Sequence, residues 1–473
     1  MSDLNAKIFF NKRNSFFLLI LISCLATALR LYHLDYQSLA IDEIASMNGT
    51  DPELSIRAVV NYSKADQPPA FFILLHFWLK IFPFTDWSGR LLAMCLGVIG
   101  VVTIFFFGKE VKNNELGVMA SLIACFSYIH IYFSQDARFY TLVFLLTTLS
   151  WLFYIRAVKS MKIYDFLLYT IFTSLVIYSH YFGLVVFASQ GFLFVLLLIF
   201  YPSQQRFIIL GISSALLVII CIVPWLPVFF ADSQIETFWI QPEPFYFPIK
   251  YFYVYFKDVI SCLIFGSLLL YYFFDQLKTI RSQKKLDRID FILITGAASG
   301  ILFPLIYSII RTPLLNVRYT IIILPSLTIL ICLGFSLLKK RLRWILLTLS
   351  CFTTFLSLIF IEDYYTKPLK EDWRGLVEVV IEQHNKSDLL VSRYSWYCNY
   401  YFKSRGSELR VILPAQFVNE LSEFKAVWWL DGFDVPKVDP LGESILMQKG
   451  YRLEKTDSLF RTRANYYQRT NSN

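Results

Sequence analysis

Two acidic residues side by side, Asp42-Glu43, stand shortly after a long apolar run that ends at Leu31, and a third, Asp66, opens the stretch Asp66-Gln67-Pro68-Pro69. Carboxylates placed there sit at the outer membrane interface, within reach of both a lipid headgroup and an aqueous substrate. Such a group can act as general base or metal ligand for chemistry on a lipid-linked molecule; a solvated loop carboxylate is the plainer alternative. Asp66 also precedes two prolines at the head of an apolar segment, where helix capping alone accounts for it. Ser134-Gln135-Asp136-Ala137-Arg138-Phe139-Tyr140 joins two apolar runs in a tight turn. Polar groups are costly beside lipid, so this cluster lines a cavity or reaches water, unless Arg138 merely snorkels to the interface. His180-Tyr181 occupies the next outer turn, and a lone His is more often a satisfied structural residue than a ligand. Arg311 and Arg318 frame a further turn, with Tyr319 following. A guanidinium there can grip a phosphate bidentately or simply anchor a helix end. Arg30 and Arg90, at other outer span ends, read as anchors by the same logic.

The elements that position these residues are membrane spans. Of 473 residues, 56% are hydrophobic and 17% charged, with a mean hydropathy of +0.53, whereas soluble chains carry about 25% charge. Apolar runs long enough to cross hydrocarbon cover roughly 15–31, 88–108, 115–133, 138–156, 164–180, 183–201, 207–230, 257–276, 290–311, 316–338 and 343–361, about eleven spans at 1.5 Å rise per residue. The runs 164–180 and 183–201 are separated by a very short turn. The chain carries 44 Lys+Arg against 35 Asp+Glu, a formal +9. In this setting the excess is a topology signal, and nucleic acid is not an expected partner. Lys7, Lys12, Lys109, Lys112, Arg156, Arg206, Lys284 and Arg343 all fall on one side, which the positive-inside rule makes cytoplasmic together with the N-terminus. Loops 32–87 and 231–256 and the tail then lie outside. Ala26-Thr27-Ala28 gives the first run a signal-peptide look, but the many spans that follow favour a retained span. Within the first outer loop, Asp51-Pro52-Glu53 predicts a helix start, and Pro68 to Phe82 is too short to cross, so interfacial helices are expected.

Composition changes sharply at Glu362, dividing the chain into a transmembrane domain, 1–361, and a soluble domain, 362–473. The tail alternates helical and strand-like patterns: a helix after Asp372, strands at 388–392, 409–413 and 426–430, a helix at 416–424, and a closing hairpin from Gly450 to Gln468. The fold class expected is mainly α, a polytopic transmembrane helical bundle with interfacial helices and a small C-terminal α/β domain. Trp396, Tyr397, Tyr400 and Tyr401 could stack on sugars, although a packed helix face is the commoner use of such residues. Seven of the eight cysteines lie in apolar runs and only Cys398 in the tail, which leaves no disulfide framework and no zinc spacing.

In order along the chain, Ala28-Leu29-Arg30-Leu31 before Asp42-Glu43, Asp66-Gln67-Pro68-Pro69, Ser88-Gly89-Arg90-Leu91-Leu92, the 134–140 turn, Ser179-His180-Tyr181-Phe182-Gly183, and Arg318-Tyr319 with Leu324-Pro325 resemble the GT-C membrane glycosyltransferases. The likeness is to bacterial relatives of the dolichyl-phosphate-mannose protein mannosyltransferases and of the lipid A aminoarabinose transferases, over roughly residues 15–361. The resemblance implies a polyprenyl-phosphate-linked sugar donor, a glycan, lipid or protein acceptor, and inverting transfer at the outer face of a bacterial plasma membrane. It makes Asp42 the base, with Glu43 and Asp66 as further catalytic acids. Gln67, Gln135, Arg138, Tyr140, His180, Tyr181 and Arg318 become the substrate-binding set, and a divalent metal at Asp42, Asp66 or His180 is left open. The chain departs from the aminoarabinose transferases in carrying Gln67 where they have a basic residue, and it lacks their Arg shortly after the first acidic pair. The competing readings are a lipid or glycolipid flippase without covalent chemistry, and a polymerase or ligase using a diphosphate-linked glycan. Transporters usually place polar sites near mid-membrane in paired halves, which this sequence does not show.

Overall fold

The computed structural model describes residues 11–232, 240–283, 285–385, 387–432 and 440–470. Lys7 and Lys284 of the predicted basic loops lie outside the described residues. Among those described, nine helices are long and apolar enough to cross a membrane: Lys12–Leu31, Asp86–Val111, Tyr140–Ser160, Gly183–Phe200, Gln205–Ala231, Val259–Gln283, Arg288–Ile310, Tyr319–Ser336 and Lys340–Ile361. The protein is an integral membrane protein.

Two of the eleven predicted runs take other forms. The run at 115–133 is two helices, Asn114–Phe126 and Tyr128–Ser134, bent by 64°, so counting the pair as one span gives ten. The run at 164–180 is a shorter apolar helix of 17 residues, Ile163–Ser179. The bend falls at Ser127, whose ψ of 118° takes it out of helical geometry. Carbonyls freed there still need donors. Arg30, fully buried, supplies them, donating to the carbonyls of Ala124 (3.0 Å) and Cys125 (3.1 Å) as well as to Ser134 Oγ (3.2 Å). Arg30 is thus the clamp of a broken helix, and the interfacial anchor expected from sequence is corrected by its burial.

The first compact unit comprises Met1–Tyr32, Leu54–His76 and Leu91–Asp363. The second comprises His33–Glu53, Phe77–Arg90 and Tyr364–Asn473, so parts of the 32–87 loop join the C-terminal region. That loop forms three helices, Ile41–Gly49, Ile56–Ser63 and Ala70–Ile81. The helix start expected at Asp51 is instead an Asx-type turn, in which Asp51 Oδ1 accepts from Glu53 N at 3.0 Å. Helix Ile56–Ser63 begins later because Ser55 Oγ caps Ala58 N at 3.3 Å.

The C-terminal sheet has the order β2-β1-β3-β5-β4, with β1 at Asp388–Ser392, β2 at Val411–Ile412, β3 at Ala426–Gly432, β4 at Tyr451–Leu459 and β5 at Thr462–Arg469. β1 pairs in parallel with β2 and β3, while β5 runs antiparallel to β3 and closes the expected hairpin with β4. β1 and β3 are buried along their whole length, as befits strands covered on both faces. Leu389, Val391, Val427, Trp429 and Tyr467 form the centre of the core. β4 is the exposed edge, and its Arg452, Glu454, Lys455 and Asp457 discourage pairing with another chain.

Candidate active site

The acidic pair lies at the start of helix Ile41–Gly49, where the positive end of the helix dipole favours a carboxylate. Adjacent helical residues point about 100° apart, and here the two acids have different surroundings. Glu43 is fully buried. Its Oε2 accepts from Ala40 N (2.8 Å), Arg90 (3.0 Å) and Lys370 Nζ (2.6 Å), and its Oε1 from Arg90 Nε (2.8 Å). Burial alone would raise the Glu43 pKa; the Arg90 and Lys370 charges outweigh it and hold the carboxyl well below the usual range. Arg90, also buried, donates further to the carbonyls of Leu34, Gln37 and Ser38 at 2.7–3.2 Å. It therefore stitches the 34–38 loop to Glu43, a more specific role than the anchor expected from sequence. Asp42 is half-buried. Burial and the charges of Glu371 and Asp42 hold the nearby Tyr397 phenol well above its ordinary value. Tyr397, Tyr400 and Tyr401 are buried, and Tyr400 and Tyr401 hydrogen-bond Asp86 at 2.9 and 3.2 Å. They pack as a helix face; of the four aromatics only Trp396 is exposed.

In the first unit, four turns meet. Arg138 lies in the 134–140 turn and forms a bidentate pair with Asp66, at 2.6 and 3.0 Å, so Asp66 does not cap the following helix as its position before two prolines suggested. The Arg138 side chain is almost wholly buried and that of Asp66 is 26% exposed, which leaves one edge of the pair open to solvent. The Arg138 guanidinium also lies 4.6 Å from the centroid of Phe139. Phe139 in turn packs on His180 (4.9 Å), and His180 on Tyr319 (4.7 Å). His180 Nδ1 accepts from Phe182 N at 3.0 Å, which assigns the ring proton to Nε2. That buried Nε2 has no hydrogen-bond partner among the described residues. Burial, then the Arg138 charge, pushes the His180 pKa down to about 3, so at neutral pH it is an uncharged donor.

The remaining predicted residues are placed as follows. Gln67 Oε1 sits 3.5 Å from Tyr181 N, a weak bond between two of the turns. Gln135 donates to the carbonyls of Arg30 (2.9 Å) and Tyr32 (2.8 Å), fastening its turn to the end of the first span. Tyr140 stacks on Phe133 at 4.1 Å. Arg318 is exposed and precedes Tyr319 in the same short segment. Sequence reasoning missed Lys370 and Arg90 as partners of Glu43, and Phe139 and Tyr319 as the walls of His180. Lys370 had a signal, since it heads the charged Lys370-Glu371-Asp372-Trp373-Arg374 stretch. For a metal, the donor set does not converge: Asp66 is paired with a guanidinium, and among the described residues no three His, Cys, Asp or Glu side chains form a group that would hold an ion.

This architecture, a bundle of spans with short helices in the 32–87 loop and a small C-terminal sheet domain, is one that solved membrane proteins share. The sequence model of the dolichyl-phosphate-mannose-protein mannosyltransferase family matches residues 66–228, which include Asp66, Arg138 and His180. ArnT from Cupriavidus metallidurans in the apo state superposes with a TM-score of 0.65 at 11% identity, over 95% of this chain and 97% of that one. The same protein bound to undecaprenyl phosphate gives 0.64 at 10% identity, with the same coverage. The oligosaccharyltransferase of Archaeoglobus fulgidus in the apo form gives 0.57 at 10% identity, over 89% of this chain and 70% of that one. No curated protein sequence matches the chain.

Proposed function

We propose that the protein is a glycosyltransferase that moves a hexosyl or pentosyl unit from a polyprenyl-phosphate-linked donor to an acceptor hydroxyl, with inversion, at the extracytoplasmic face of a bacterial plasma membrane. The observation that carries this reading is the Asp66–Arg138 pair beside the unshared His180 N–H: a fixed cation and a neutral donor, brought together by four turns. A phosphate leaving an anomeric carbon needs such groups, because charge develops on its oxygen as the bond breaks. The similar ArnT structure bound to undecaprenyl phosphate supports a lipid phosphate as the leaving group.

Asp42 is the base in this scheme. It takes the acceptor hydroxyl proton as the oxygen attacks the anomeric carbon; the new glycosidic bond forms on the opposite face from the departing phosphate, which leaves as polyprenyl phosphate. Glu43 cannot share the task while two cations and a backbone amide saturate its oxygens. Its role is to fix the helix that carries Asp42. Arg138, oriented by Asp66, stabilises the leaving phosphate, with Arg318 a second cation for the same charge. Asp66, paired with the Arg138 guanidinium, does not fit a bound metal.

The test is turnover of a radiolabelled polyprenyl-phosphate sugar by purified protein in proteoliposomes with cell-envelope glycan as acceptor. Release of polyprenyl phosphate together with a new glycosidic bond is expected. Equilibration of labelled lipid across the bilayer without bond formation would favour the flippase reading, and use of only a diphosphate-linked glycan the polymerase or ligase reading.

A further inference from the structure

A second polar feature lies at the other end of the first span. Helices Asp86–Val111 and Asn114–Phe126 turn back on each other so tightly that a Cβ on Gly108 would stand 2.9 Å from Gly117 Cα, and one on Gly117 2.5 Å from Phe105 O. Small residues permit this approach. The hairpin flanks helix Lys12–Leu31, and between them is a groove of about 430 Å³. Lys12, Arg13 and Lys109 line it, on the face that the basic loops mark as cytoplasmic. Asn114, the first residue of its 13-residue helix, also borders the groove, so the positive end of that helix lies at the same place. Neighbouring carboxylates are engaged elsewhere: Glu110 with Lys159 at 3.4 Å, and Glu115 with Arg343 at 2.9 Å.

An independent observation concerns Ser15. Its side chain lines the groove, is 1% exposed, and its hydroxyl has no hydrogen-bond partner among the described residues. A buried hydroxyl without a partner costs free energy, and a ligand oxygen in the groove would remove that cost. The lining also includes the apolar side chains of Phe16, Leu19, Phe105 and Phe106. A soluble anion would satisfy the cations and leave these side chains in contact with nothing of its own. A phosphate carrying acyl chains matches both parts.

We propose that this groove is a binding site for an anionic phospholipid, its phosphate held by Lys12, Arg13, Lys109 and the Ser15 hydroxyl, and an acyl chain laid along the aromatic wall. The site is separate from the sugar-transfer reading and stands without it. The experiment is native mass spectrometry of the purified full-length protein offered equal amounts of phosphatidylglycerol and phosphatidylcholine, with thermal stability measured in each lipid. Phosphatidylglycerol should be retained at least about tenfold more, since each cation near a lipid surface is worth roughly fivefold. The Lys12→Gln/Arg13→Gln/Lys109→Gln variant should lose the preference and keep its stability in phosphatidylcholine. Ser15→Ala, which leaves every charge in place, should weaken retention a few-fold and serves if the triple variant does not fold. Equal retention of the two lipids, an unchanged preference in both variants, or full stabilisation by millimolar inorganic phosphate without lipid would overturn the proposal.

Discussion

Two acid–guanidinium pairs, one in each compact unit, use the same groups to different ends. Glu43 with Arg90 is dry and complete: both side chains are buried, and Lys370 and a backbone amide fill the remaining acceptor positions. Asp66 with Arg138 has an exposed edge, and its neighbour His180 keeps a donor in reserve. The lesson is that ion pairing alone does not mark a catalytic acid. A saturated pair fixes the backbone, whereas an open one beside an unshared donor is fitted to receive a substrate.

The sharpest way to break this comparison is Glu43→Gln. It leaves Arg90 and Lys370 buried against a neutral group, and thermal unfolding in detergent should show a loss of about 3–5 kcal/mol. A stability within error of the parent would mean that the pair is not the fastener described. Next in size, Arg138→Met should lower turnover roughly 10²–10³-fold while costing less stability than Glu43→Gln, because Asp66 is left partly in water. A large fall in melting temperature with little loss of turnover would exchange the roles assigned to the two pairs.

A smaller effect separates them by pH. His180, held at about 3 in the folded protein against an ordinary 6.5, binds no proton where the unfolded chain does. Stability should therefore fall as pH drops below 6.5, by up to about 1.4 kcal/mol per unit, and His180→Phe should flatten that slope. Glu43, with its pKa lowered from an ordinary 4.5, is charged in both states above that value. Its contribution is present above pH 4.5 and is lost only as the pH falls below it. A slope between pH 6.5 and 4.5 that survives in His180→Phe would remove His180 as its source.

Much of the fold was legible because membrane spans announce themselves by composition over many consecutive residues. The closing hairpin was equally plain, since β4 and β5 alternate around a short turn. What was not legible depended on distant partners. Nothing local distinguishes Asp42 from Glu43; the difference comes from Arg90, 47 residues away, and Lys370, 327 away. Asp66 looked like a helix cap because it precedes prolines, but Arg138 competes for its carboxylate and wins with two charge-assisted bonds. The bend at Ser127 carries neither Pro nor Gly in its immediate sequence, and is sustained by Arg30 from another helix. Arg138 and His180 were recognised as polar residues out of place beside lipid; that Phe139 and Tyr319 wall in His180 needed the fold.

The central claim is that, of the adjacent acids, Asp42 does the chemistry and Glu43 holds it in place. The direct measurement is single-turnover release of polyprenyl phosphate from labelled donor by Asp42→Asn protein whose melting temperature matches the parent. Release should fall by roughly 10²–10⁴-fold at unchanged donor affinity. Release at the parental rate from a folded Asp42→Asn protein would contradict the account.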